Sequence, residues 1–340
     1  MTRSSDVPII RLAGEVKSAV LSADGVWRDT QVAPLGQRRL YEVRVGRYGE
    51  EKIIRAAAEH RWLLRPKVAH QRVETTTAGL RVGDRLAYSF PPSLLPGLLP
   101  SRTGVARGFV FGDGSISGDA LAHASFFGEK DEALIRYFDN TDRLRTYYYR
   151  HIPGMPGRKL HVPSRDVTER LLETGEVKPY RRLGGLPREW KRECPALNGS
   201  AEAIFGWLAG YFAADGDVGI SGRPSIWSTN RGSLEFFKEA CSTIGVWTLP
   251  IRERIRRGFG RVDTKIFVMG ISRADLTSDF FLLSEQRRRW TANRNAVERR
   301  GWTVRGVRET ETVDNVFGIS MATSPPLVLE GNILTGGCAL

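Results

Sequence analysis

Ala106-Arg-Gly-Phe-Val-Phe-Gly-Asp-Gly114 returns about a hundred residues later as Leu208-Ala-Gly-Tyr-Phe-Ala-Ala-Asp-Gly216. Both stretches read as an apolar helix that ends in Asp-Gly. Gly108 matches Gly210, Gly112 matches Ala214 and Asp113 matches Asp215. Small residues four apart share one helix face, and two such faces can press together with almost no side chain between them. The two helix ends, and with them the two aspartates, then lie side by side. A carboxylate at a helix C-terminus meets the partial negative charge of the helix, and a second carboxylate repels the first. A divalent cation relieves both. The repeat is therefore a candidate two-aspartate metal site, set against the plainer reading of two unrelated amphipathic helices with glycine caps.

With these residues in place, the chain resembles the LAGLIDADG homing endonucleases, whose name the second copy nearly spells. The resemblance implies two pseudo-symmetric αββαββα lobes, Mg²⁺ held by Asp113 and Asp215, and double-stranded DNA with a long asymmetric site as partner. It also implies a lysine near the metals in each lobe. Lys159 and Lys265, each opening a strand that runs towards a Ser-Arg and an Asp, take that place as expected catalytic residues.

The 340 residues carry 51 Lys+Arg against 38 Asp+Glu, a formal charge of +13, with 41% hydrophobic residues. That length suits two or three domains, and the basic balance suits a polyanion, although solubility alone could account for it. Cys194, Cys241 and Cys338 form neither a disulfide framework nor a zinc pattern. No apolar run is long enough to span a membrane and the N-terminus has no signal-peptide core, so an intracellular protein without a membrane partner is expected.

Residues 1–92 read as short strands and polar turns. Leu40-Tyr-Glu-Val-Arg-Val45 alternates as a half-buried strand does, and Asp24-Gly25 is a hairpin dipeptide. IIRAAAEHRWLL (53–64), TTAGLRVGDRLAY (76–88) and VFGISM with LVLEGNILTGGC (316–321 and 327–338) resemble the Hint fold of inteins. The fold class expected is thus an all-β Hint-type module, 1–92 and 311–340, interrupted by α+β lobes at 93–200 and 201–310.

The Hint resemblance implies that His60 polarises an upstream peptide, and a host protein would flank the chain as exteins. Inteins usually begin with Cys or Ser, whereas Leu12-Ala13 stands at that point here. One intein class dispenses with that nucleophile. Trp62 and Thr335 match its pattern, but its Cys aligns with Gly318 and the terminal Asn with Gly337, and the Thr three before the histidine is Ala57. Cys338 fits the downstream acceptor. On this pattern splicing is impaired. Taken alone, His60 and Trp62 equally suit an ordinary sheet pair.

In the lobes, Arg145, Tyr147 and Tyr149 share one face of a strand, as do Arg252, Arg254 and Arg256. A ribbon that runs from Trp247 to Arg257 and returns from Arg261 to Ser272 fits a major groove in which Arg binds guanine. Arg287 and Arg288 could grip phosphates. A solvated hairpin or edge strand remains the alternative for each. The leading expectation is a monomeric site-specific DNA endonuclease in an intein. A self-processing element with an inert nuclease, or a nucleic-acid binder without cleavage, are the others.

Overall fold

The computed structural model describes residues 9–13, 18–24, 26–65, 73–90, 92–116, 121–139, 141–153, 158–257, 263–293, 300–320, 326–329 and 332–336. The chain divides into two compact units, Met1–Pro92 with Glu298–Leu340, and Ser93–Val297. Residues 298–310, expected with the second lobe, belong to the first unit. Trp302 and Val304 are fully buried there with Val43 and Val45.

In the first unit a short helix α1 (Ile9–Leu12) precedes strands β1 (Ser18–Leu21), β2 (Trp27–Arg47), β3 (Glu50–Ala57), β4 (Arg61–Leu64) and β5 (Val73–Thr76). Residues 93–297, the second unit, intervene. The chain then returns to the first unit as β15 (Thr303–Ser320), β16 (Leu327–Leu329) and β17 (Ile333–Thr335). Short strands were expected throughout, but β2 has 21 residues and β15 has 18. They pair antiparallel from Gln31 to Gly46, with register shifts that absorb extra residues and keep the ladder running. A second sheet has the order β16-β17-β4-β5. The Gly83 turn pins β15: its φ of +96° is open to glycine, and its N–H donates to the Val304 carbonyl at 2.9 Å.

The second unit opens with α2 (Arg102–Asp113), β6 (Ser115–Ile116), β7 (Ala122–Phe126), α3 (Glu129–Leu134), β8 (Leu144–His151), β9 (Lys159–Val162), α4 (Glu169–Glu173), β10 (Lys178–Leu186) and α5 (Glu189–Arg192). It continues with α6 (Ala201–Asp215), β11 (Gly216–Val218), β12 (Pro224–Ser228), α7 (Arg231–Thr243), β13 (Arg252–Arg257), β14 (Asp263–Gly270) and α8 (Ser284–Ala292). The sheets run β6-β7-β10-β8-β9 and β11-β12-β14-β13. The second half follows the expected αββαββα order. The first half departs from it: β9 and α4 are inserted, and the strand beside β7 is β10. The expected fourth strand at Lys159 is the extra edge strand.

Ser101 and Ser200 cap α2 and α6, each hydroxyl accepting a backbone N–H of the first turn. α6 is apolar on every side, and Ile204 to Ala213 are all buried, as a helix inside a core must be. It packs on α2 through glycines. A Cβ at Gly108 would lie 2.1 Å from the Trp207 carbonyl oxygen, and one at Gly210 would lie 2.1 Å from that of Val105. Gly104 and Gly206 repeat the relation one turn earlier. The two backbones therefore touch, and the helix ends converge. Among the described residues no helix is long and apolar enough to cross a membrane.

Candidate metal and nucleic-acid site

Asp113 ends α2 and Asp215 ends α6. A Cβ on Gly112 would stand 3.1 Å from Asp215 Oδ2, so the second carboxylate lies against the end of the first helix. Burial, reinforced by the charge of Asp113, pushes the Asp215 carboxyl up to about 6, while Lys130 and Lys191 pull it down. Tyr211, one helical turn before Asp215, is buried and pushed up to about 12.

Two lysines that the sequence did not single out hold this centre. Lys130 Nζ donates to Asp113 Oδ2 and, at 3.0 Å, to the Ala214 carbonyl of the other helix. Lys191 Nζ donates to the carbonyls of Phe111 and Gly112, at 2.8 Å each. Burial lowers its pKa against the opposing pull of Asp215 and Asp113. Each ammonium thus neutralises carbonyl oxygens that a helix C-terminus leaves over. Lys130 opens no strand and Lys191 lies in a short helix, so no motif marked them.

Of the two expected lysines, the structure brings one to the cluster. Lys159 Nζ stands 3.6 Å above the Phe127 ring centroid. Desolvation and the charge of Lys130 lower its pKa against Asp113. Lys265 is elsewhere: it is 72% exposed and pairs with Glu253 at 3.0 Å. The two are not counterparts either, because β14 corresponds to β10 rather than to β9.

Pairing registers place Arg252, Arg254 and Arg256 on one sheet face, all exposed. Ile226 and Met269, fully buried, lie on the opposite one. Arg254 and Arg256 line a cleft of about 950 Å³ whose wall also holds Asp215, Lys191, Tyr211 and Trp227. In the first lobe Arg145 is exposed and donates to the Asp142 carbonyl. Tyr147 stacks on Tyr180 at 5.5 Å. Tyr149 is not the surface ring expected. It is 8% exposed and lies beneath Lys159.

Arg287 and Arg288 both have partners within the fold. The first donates twice to the Phe281 carbonyl, and the second is bidentate to Glu285 at 2.7 Å, so both are committed near α8. Helix α8 serves the site differently. Gln286 Nε2 donates to the Gly216 carbonyl at 2.9 Å, directly after Asp215. Glu129, beside Lys130, accepts from Ser284 Oγ and from the Ser284 and Glu285 backbone at the α8 N-terminus. Arg261 falls outside the described residues.

The first unit holds a separate cluster. Thr335 Oγ1 lies 2.6 Å from His60 Nε2 and 2.7 Å from the Arg61 carbonyl. The carbonyl can only accept, so the threonine hydrogen goes there and the Nε2–H of His60 donates to the hydroxyl. Trp62, fully buried, pairs with Thr335 across the sheet and donates to Thr77 at 2.9 Å. Burial chiefly, with Arg61 adding and Glu59 opposing, lowers His60 to about 4. Gly318 lies on the β15 ladder opposite Ala33, with Leu35 over it. Gly337 and Cys338 fall outside the described residues.

Two lobes of this strand order, joined by small-residue helices that each end in an aspartate, define a LAGLIDADG-type α/β fold. Residues 202–268 match the family described as the LAGLIDADG-like domain. No curated protein matches the chain. Among solved structures it is similar to I-DmoI in complex with DNA and Mn, at 14% identity over 52% of this chain and 91% of that one, TM-score 0.29. It is similar also to an I-DmoI variant with its target DNA and Mg, at 13% identity over 58% and 97%, TM-score 0.30. The full-length DUF199/WhiA from Thermatoga maritima is 12% identical over 58% and 63%, TM-score 0.32.

Proposed function

We propose that this chain is a metal-dependent, site-specific DNA endonuclease. The observation that carries the reading is the meeting of Asp113 and Asp215 at the ends of two backbone-packed helices, with Asp215 in the wall of an arginine-lined cleft. Two carboxylates and the carbonyls of Phe111, Gly112 and Ala214 form an all-oxygen donor set, which fits a hard divalent cation. Among the described residues no third acidic, His or Cys ligand joins them, so water and phosphate oxygens complete the shell, as suits Mg²⁺. Such a cation supplies water activation and charge stabilisation for in-line displacement at phosphorus.

The protein's own part is to hold the two carboxylates at converging helix ends, Asp215 in the wall of the cleft, and to offer Arg254, Arg256 and the first-lobe strand face to the duplex. The lobes differ in sequence, so each reads its own half of an asymmetric site, and one chain suffices. The test is selection from a randomised plasmid library with Mg²⁺. Recovery of one long cleaved sequence supports the reading. Indiscriminate cleavage or none counts against it.

His60 Nε2 against Thr335 Oγ1 favours a second reading for the first unit, a Hint-type splicing module with impaired splicing. A neutral His60 whose one N–H is spent on Thr335 has none left to polarise an upstream peptide, and Gly318 and Gly337 carry no reactive side chain. With flanking residues attached, mass spectrometry should find the intact precursor. Gly337→Asn should restore cleavage at the downstream junction. Ligated flanks from the unaltered sequence would contradict this.

A further inference from the structure

We infer that Lys130 is a resident counter-ion that keeps divalent metal out of the site until DNA arrives. The inference rests on the nuclease reading above and concerns when its site becomes open. The ammonium of Lys130 bridges a carboxylate oxygen of one helix end, on Asp113, and a carbonyl oxygen of the other, on Ala214. Those are two of the hard oxygens with which the centre could ligate a cation. Lys191 takes two more, the carbonyls of Phe111 and Gly112, from the opposite side.

In the free protein the centre is thus already neutralised by its own side chains. That answers how two carboxylates persist at two helix C-termini without a metal. The two lysines are not equally held. Lys191 is held within its own lobe by two 2.8 Å hydrogen bonds, to the Phe111 and Gly112 carbonyls of α2. Lys130 stays accessible, its side chain 27% exposed beside an Asp113 side chain 34% exposed. It also stands at the start of α3, next to Glu129, which is fixed on the N-terminus of α8. Its backbone is therefore anchored while its ammonium can swing. A DNA phosphate that reaches the exposed side of the Lys130–Asp113 pair offers that ammonium another anion, and its departure frees Asp113 Oδ2 and the Ala214 carbonyl together. Lys130 thereby makes metal loading follow DNA binding, which protects free protein from idle metal occupancy.

The test is Mn²⁺ binding to the DNA-free full-length protein, with free Mn²⁺ read by electron paramagnetic resonance. Lys130→Met should bind Mn²⁺ about tenfold or more tightly than the wild type, the scale of one charge-assisted hydrogen bond released from competition. Adding Asp113→Asn to Lys130→Met should remove that gain. If Lys130→Met does not fold alone, refolding on addition of Mn²⁺ is the supporting result, and remaining unfolded in Mn²⁺ overturns the inference. Equal or weaker Mn²⁺ binding by a folded Lys130→Met also overturns it, and leaves the nuclease reading standing if the wild type still cleaves a selected target. A wild type that neither cleaves DNA nor binds Mn²⁺ in its presence removes both.

Discussion

Asp113 and Asp215 could be read from the sequence because a paired carboxylate after a small-residue helix face has few structural reasons to exist. Their cation partners could not. Lys130 and Lys191 reach the centre from outside the repeat, along paths set only by tertiary packing. Lys265 misled because strand position was inferred from chain order, whereas the sheet order sets it on another face with Glu253. The glycines of the paired helices make a sharp test at this scale. A Cβ at Gly210 would stand 2.1 Å from the Val105 carbonyl oxygen, whereas one at Gly184 meets nothing within 4 Å. Gly210→Ala should cost about 3 kcal/mol in urea unfolding, and Gly184→Ala within about 0.5 kcal/mol of nothing. Equal effects would mean that the helices do not touch through their backbones. His60 gives a pH test. Its folded pKa of about 4 lies below the unfolded 6.5, so between those values the unfolded chain binds the extra proton. Stability is therefore full above pH 6.5 and falls as the pH drops towards 4, by at most about 3 kcal/mol, since part of the residue remains accessible. The difference in unfolding free energy between wild type and His60→Gln should shrink across that window. A constant difference would show that His60 titrates normally.

At the scale of elements, α2, α6 and the β13–β14 ribbon were legible because each has one strong period: glycine every fourth residue in the helices, arginine every second in the strand. β10 was not legible. Pro179, Gly184 and Gly185 interrupt Lys178–Leu186, and such residues weaken a strand pattern although the neighbours β7 and β8 hold it in place. The same competition placed β9 wrongly, since Lys159-Leu-His-Val162 alternates well yet serves only as an edge. The run at 287–289 shows how a charge cluster can serve its own fold. Glu285 and the Phe281 carbonyl engage its arginines, which a sequence cannot display. The arginines of β13 remain the ones to test against DNA. Replacing Arg252, Arg254 and Arg256 with Ala should flatten the slope of log affinity against log salt by about 2 to 3, as three phosphate contacts would require. An unchanged slope would place the duplex on another surface.

At the scale of the whole molecule, the chain is two units with different chemistry. One is a β structure whose histidine is buried, neutral and already hydrogen-bonded. The other is a pair of lobes whose two carboxylates end neighbouring helices, one of them, Asp215, sharing a cleft with Arg254 and Arg256. The boundary near residue 298 was missed by about a dozen residues because β15 begins in a charged stretch whose buried members, Trp302 and Val304, find their partners in Val43 and Val45. The central claim is that the two carboxylates act together on DNA, and it is tested most directly by following binding and cleavage side by side in one substitution. A plasmid bearing the selected target, incubated with Mg²⁺, should be linearised by the wild type and left uncut by Asp215→Asn, while both proteins bind the target alike in Ca²⁺. Linearisation by Asp215→Asn at the wild-type rate would contradict the account.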